Sequence, residues 1–187
     1  MKGGIDHFPF SPQKATEVVA QFLKLAHGRI NIMKLVKLVY LLDRESIGRR
    51  GVPVVGGAYL SMRNGPVTSE ILDLVNSGSL WSCETNWDQF ISARRNYEVE
   101  LTHDPGRDHL SEFELGLIAE VFALHEKEDQ FALRDWCHAH CGEWLPLETG
   151  LAAISLVDIA EEVGRDPDEV LANATEQAFL GEVFKSK

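Results

Sequence analysis

Residues 32–50, IMKLVKLVYLLDRESIGRR, restrict the possible folds of this chain more than any other stretch. Ile32, Leu35, Val36, Val39 and Leu42 recur at three- and four-residue steps and so share one face of a helix. Leu38 and Leu41 widen that face until, between Ile32 and Arg44, only Lys34, Lys37, Asp43 and Arg44 remain clearly polar. A helix apolar around most of its circumference is normally enclosed by other elements. The pattern therefore predicts a central helix, capped by Asn31 and stopped before Gly51, with Arg49 and Arg50 where cations suit the helix dipole.

The rest of the chain reads as cover for that helix. Ser11-Pro12 looks like an N-cap followed by Pro at the first helical position, opening a helix that runs to about Gly28. Pro53 and Gly56-Gly57 exclude regular helix in the next segment. A short strand over 58–63 and a turn at Asn64-Gly65-Pro66 are expected, then a short helix from Thr68 or Ser69 to Val75, ended by Asn76 and Gly78. Tyr97, Val99 and Leu101 alternate with polar residues, as in a half-buried strand, and pairing with Phe90-Ile91 would make a small antiparallel hairpin. Ser111-Glu112-Phe113-Glu114 matches a capping box and opens another helix. Further helices are expected from Phe131 to about His140, from Ser155 to Val163 and from Pro167 to about Phe184. The predicted architecture is mainly α: a single compact helical domain over residues 1–187, built around a buried central helix, with a small antiparallel β element.

Composition narrows the function classes. No apolar run approaches the roughly 20 residues of a membrane-spanning helix, and MKGGIDHFPFSP lacks a secretory apolar core. No membrane partner and a cytoplasmic location are the expectations. Three cysteines (Cys83, Cys137, Cys141) are too few for a disulfide framework. A net charge of −11 disfavours nucleic acid, whose binding depends on neutralising phosphates with Lys and Arg. A protein, and a basic one, is the more natural partner. Leu156 to Val170 has the outline of a helix-turn-helix, yet Asp158, Glu161, Glu162, Asp166, Asp168 and Glu169 face only Arg165. That segment is either a helical pair closing the core or an acidic surface for a basic partner.

The stretch KLVKLVYLLDRESIGRRGVPVVGGAYLSMRNGPVTSEI resembles the signature of the Panacea domain, the group that includes the SocA-like antitoxins. The matching positions are Lys34, Leu35, Lys37, Leu38, Tyr40, Leu41, Asp43 and Arg44, then Gly51 and Pro53, then Tyr59, Met62, Gly65 and Pro66. Further on, Leu110, Ser111, Glu112, His138 and Trp144 are similar to the family's later positions, with His140 competing for the place of His138. The closing ISLVDIAEEVGRDPDEV is also similar. The resemblance implies a bacterial or phage antitoxin, a non-enzymatic protein that binds and neutralises a cognate protein toxin. It also implies an adaptor role, delivering that toxin to an ATP-dependent protease. The alternative is a prophage-encoded interaction module that binds a host or phage protein without any toxin.

Candidate contact residues are Lys34, Lys37, Tyr40, Asp43, Arg44, Tyr59, Met62, Gly65, Pro66, His138 and Trp144. Lys37, Tyr40, Asp43 and Arg44 lie on one side of the helix. They form either a contact surface for the toxin or internal braces, for instance Asp43 and Arg44 pairing with the Met62 to Pro66 turn. Gly65-Pro66 reads first as a backbone device, while the extended stretch before it could offer an edge to a partner strand. Cys137, His138, His140 and Cys141 resemble a metal-ligand set, but one helix cannot wrap a tetrahedral ion with all four. Cys83 or His103 would have to join them, and no metal or other cofactor is expected. Gly-x-Ser-x-Gly, phosphate-binding glycine loops and His-Glu-x-x-His are all missing from the sequence, so no enzyme activity is expected.

Overall fold

The computed structural model describes residues 7–77 and 86–185. Gly78 and Cys83 lie outside them. The helices are α1 (Pro12–Leu25), α2 (Ile32–Arg50), α3 (Ser69–Ser77), α4 (Trp87–Phe90), α5 (Glu112–His125), α6 (Gln130–His140), α7 (Leu156–Glu162) and α8 (Pro167–Lys185). The strands are β1 (Arg29–Asn31), β2 (Tyr59–Met62), β3 (Gly65–Thr68), β4 (Glu98–Glu100) and β5 (Leu151–Ile154). The protein is mainly α with a small antiparallel β element.

The central position of α2 holds. It packs against α1, α3, α5, α6, α7, β1 and β3. Every residue from Leu35 to Asp43 is buried, Lys37 and Asp43 included. Asn31 caps it by accepting hydrogen bonds from the Met33 and Lys34 amides at 2.9 and 3.4 Å. Gly51 ends it in the left-handed conformation (φ 71°), where a side chain would be strained. Ser111 and Glu114 form the expected capping box on α5. Ser11 occupies the N-cap position of α1, but its side chain makes no capping hydrogen bond.

The β elements depart from the expected ones. Of the alternating residues Val99 lies in β4, Tyr97 falls in the turn before it and Leu101 makes an isolated bridge. Strand β4 pairs with β1 (Ile30 opposite Val99), and the expected hairpin survives only as isolated bridges, Ile91 to Leu101 and Arg95 to Glu98. The second sheet has the order β3-β2-β5, with Tyr59 between Thr68 and Ile154. Strand β2 is thus the middle strand, and both edges of the 58–63 stretch are already paired. The turn falls at Arg63-Asn64, and Gly65-Pro66 opens β3. Pro is tolerated there because β3 is an edge strand.

Helices α7 and α8 pack on each other, and α7 also meets α2. Ile159, Ala160, Val170 and Ala174 are fully buried. Part of the acidic run is used locally: Asp158 completes a capping box with Ser155, and Glu169 pairs with Arg165.

Candidate functional site

A polar side chain on a buried helix must find a partner, since leaving it unpaired costs about 1–3 kcal/mol. Lys34, Lys37, Tyr40, Asp43 and Arg44 of α2 find theirs on neighbouring segments. Lys34 donates through Nζ to the carbonyls of Glu126 and Glu128 at 2.9 and 2.6 Å, just beyond the end of α5. Those carbonyls have no helical partner of their own, and a cation suits that end of the dipole. Lys37 donates to the Pro66 carbonyl of β3 at 2.7 Å.

Asp43 is fully buried and accepts four hydrogen bonds. Oδ1 takes the amides of Val54 and Val55 at 2.9 and 2.8 Å. Oδ2 takes the Gly56 amide at 3.1 Å and the Tyr59 hydroxyl at 2.9 Å. Burial pushes the carboxyl up to about 6, with the four donors pulling the other way. At neutral pH it is therefore ionised, the state that four donors require. Burial first and the Asp43 carboxylate second hold the Tyr59 phenol protonated, ready to donate.

Tyr40 and Arg44 converge on Glu143, which follows α6. The Tyr40 hydroxyl reaches Oε1 at 2.5 Å and Arg44 Nε reaches the same oxygen at 2.7 Å. Arg44 Nη2 adds Oε2 at 3.3 Å and the His140 carbonyl at 3.2 Å. The Glu143 side chain is fully shielded from solvent. Sequence reasoning missed this residue. A Tyr and an Arg four positions apart on a buried helix call for an acidic acceptor, but nothing along the chain singles out Glu143.

The remaining candidates gather at the β2–β3 hairpin. Trp144 Nε1 donates to the Met62 carbonyl at 2.9 Å, and its ring stacks on His138 at 4.0 Å. His138 is thus the histidine that meets Trp144, whereas His140 stacks on Trp136. Burial and the nearby Lys37 charge lower the pKa of His138, keeping its ring neutral at pH 7. Gly65 has φ +99°, and a Cβ there would lie 3.0 Å from Lys37 Nζ and 3.4 Å from His138 Cδ2. Only glycine lets the hairpin come this close to α2.

The structure therefore brings the eleven candidates together as internal braces. Lys37, Tyr40, Asp43, Tyr59, Gly65 and Pro66 are buried, and Lys34, Arg44, Met62, His138 and Trp144 are partly so. Asp43 and Arg44 are braced as the internal reading expects but by other partners: the 54–56 loop and Glu143 instead of the Met62 to Pro66 turn. Cys137 and Cys141 are buried, and the Cys141 amide donates to the Cys137 carbonyl at 2.9 Å. Interaction between the two thiols lowers the Cys137 pKa, while the same interaction and burial raise that of Cys141. His103 contacts the Gln89 carbonyl. Among the described residues no three His, Cys, Asp or Glu side chains form a group able to hold a metal ion.

Two predictions follow from these braces. Asp43→Ala orphans four buried donors and should cost roughly 3 kcal/mol or more in urea unfolding; a loss below 1 kcal/mol would show that the carboxylate does not hold the 54–59 segment. For Lys37, burial lowers the ammonium pKa from 10.5 to about 8, partly offset by Cys137 and Cys141. Between those values the unfolded chain keeps the proton that the folded chain has released, so this group's contribution to stability rises with pH. The rise approaches about 1.4 kcal/mol per pH unit. The stability difference between wild type and Lys37→Met should widen in favour of wild type from pH 7.5 to 9.5. A difference flat with pH would show that the amine is not held out of water.

Among the described residues no helix is long and apolar enough to cross a membrane. No curated protein and no protein of solved structure matches the chain. A family model described as "Antitoxin SocA-like, Panacea domain" matches residues 35–145, a span running from the apolar core of α2 to the residue after Trp144. The match covers more than half of the chain and takes in nearly all of the braces just described. The chain belongs to the SocA-like antitoxin, Panacea domain family.

Proposed function

We propose that this protein is a non-enzymatic cytoplasmic antitoxin that binds a cognate protein toxin and neutralises it by direct contact. The match of the antitoxin family over residues 35–145 carries this reading. The geometry supports a division of labour. The signature residues spend their hydrogen-bonding capacity inside the fold, so their role is to hold the scaffold. Toxin contact then falls to side chains on the surface, which can vary without disturbing the braces. Neutralisation by sequestration needs only that surface. Delivery to an ATP-dependent protease would add turnover of the bound toxin.

The test is coexpression with the product of the adjacent gene. That product alone should arrest growth, and the full chain should restore it and copurify with the toxin. A toxin half-life unchanged by the antitoxin indicates sequestration, and one shortened in a protease-dependent way indicates delivery. Rescue without copurification would sink the direct-contact reading.

A further inference from the structure

Beside the braces lies a groove of about 610 Å³, within the range of ligand-binding cavities. Its floor comes from the first turns of α2, the β2–β3 hairpin and α3, through Ile32, Met33, Val36, Met62, Val67 and Leu72. Its rim is exposed and includes Arg63, Arg94, Tyr97 and Phe131. The charge of the lining is opposite to that of the protein. The chain has 29 acidic and 18 basic residues. Yet the charged residues along the groove are Lys37, Arg63 and Arg94, and no described Asp or Glu lines it. Arg63 and Arg94 have no carboxylate partner among the described residues. Arg94 instead donates to Asn76 Oδ1 at 2.6 Å and lies 6.0 Å from the centre of the Tyr97 ring.

Tyr97 points the same way independently. Asn96 and Tyr97 form a two-residue turn closed by hydrogen bonds in both directions between Arg95 and Glu98, at 2.9 and 3.0 Å. Both central residues have positive φ, 52° and 62°. Asn suits such a position, but the second one is best served by Gly. A tyrosine there is strained, and it is 72 % exposed, so burial does not compensate. Phe131, which also lines the groove, is 50 % exposed. Exposed aromatics and arginines around an apolar floor are the residue types that dominate protein–protein binding energy.

We propose that this groove seats an acidic, apolar segment of the toxin: apolar side chains on the floor, flanking carboxylates on Arg63 and Arg94, and Tyr97 and Phe131 closing over them. The inference rests on the neutralisation reading above and locates its contact surface.

The test uses the full chain and the adjacent gene's product, with Kd and Tm measured on each variant. Tyr97→Gly should raise Tm by relieving the turn, yet weaken toxin binding about tenfold or more. Arg63→Glu with Arg94→Glu should leave Tm nearly unchanged and weaken binding about a hundredfold, with a smaller loss at high salt. A merely structural role for Tyr97 cannot raise stability and lower affinity together. Toxin bound by wild type and by both variants within twofold overturns the groove while leaving neutralisation intact. Wild type failing to bind toxin, with no rescue of growth, overturns the neutralisation reading and the groove with it. A homodimer that the double reversal dissociates, with toxin affinity untouched, would assign the groove to a second copy and overturn the proposal.

Discussion

The buried Asp43 carboxylate is the interaction on which the surrounding structure most depends. It sits mid-helix in a position where water is excluded, and it accepts three successive backbone amides and one tyrosine hydroxyl. The segment after α2 contains Pro53 and two glycines and has no regular structure to pair its own amides. A single carboxylate supplies what a strand or helix would otherwise provide. It fixes the path from α2 into β2, and β2 is the middle strand on which β3 and β5 are both assembled.

The other polar residues of α2 repeat this logic on its remaining sides. Lys34 reaches the end of α5, Lys37 reaches β3, and Tyr40 with Arg44 reaches the loop after α6. Apolar contacts alone would let these elements slide against the helix, because dispersion and burial are nearly non-directional. The hydrogen bonds have direction, and bonds to these three segments, together with those of Asp43 to the 54–59 segment, fix registry as well as proximity. A sequence signature so strongly spaced is what such a device leaves behind.

The legible and illegible parts of this fold divide along the same physical line. Features decided within a few residues along a helix are readable: the apolar saturation of 32–42, the Asn31 cap, the capping box at Ser111 and the helix start at Ser155. Features decided by distant pairing are not. The alternation of Tyr97, Val99 and Leu101 signals a strand there, although Tyr97 itself falls in the turn, but the strand's partner Arg29–Asn31 is three residues long and has no pattern of its own. Strand β5, Leu151–Ile154, is a run of small and apolar residues that alternates in no clear way, and its place beside β2 comes from the fold alone. Among the candidate residues of α2, helical spacing was readable and orientation was not. Spacing puts Lys37, Tyr40, Asp43 and Arg44 on one side of a helix, yet only the positions of the neighbours show that this side faces inward. Glu143, Arg63 and Arg94 carry no local signal at all.

The inward braces and the outward groove are not independent structures. Lys37, Met62 and Gly65 belong to both: they line the groove, and they tie the β2–β3 hairpin to α2 and to Trp144. The distance between the groove's hairpin wall and its helix wall is therefore set by the Lys37–Pro66 bond and by the absence of a side chain on Gly65. Electrostatics follow a similar separation of scales. A charge of −11 spread over the surface governs long-range encounter and favours basic partners. Within the Debye length of about 8 Å the lining itself dominates, and there the sign is positive. A partner that is basic overall but carries one acidic, apolar segment would satisfy both fields, drawn in by the first and oriented by the second. That combination is more selective than either charge pattern alone, since an acidic protein is repelled before it arrives and a uniformly basic one finds no seat.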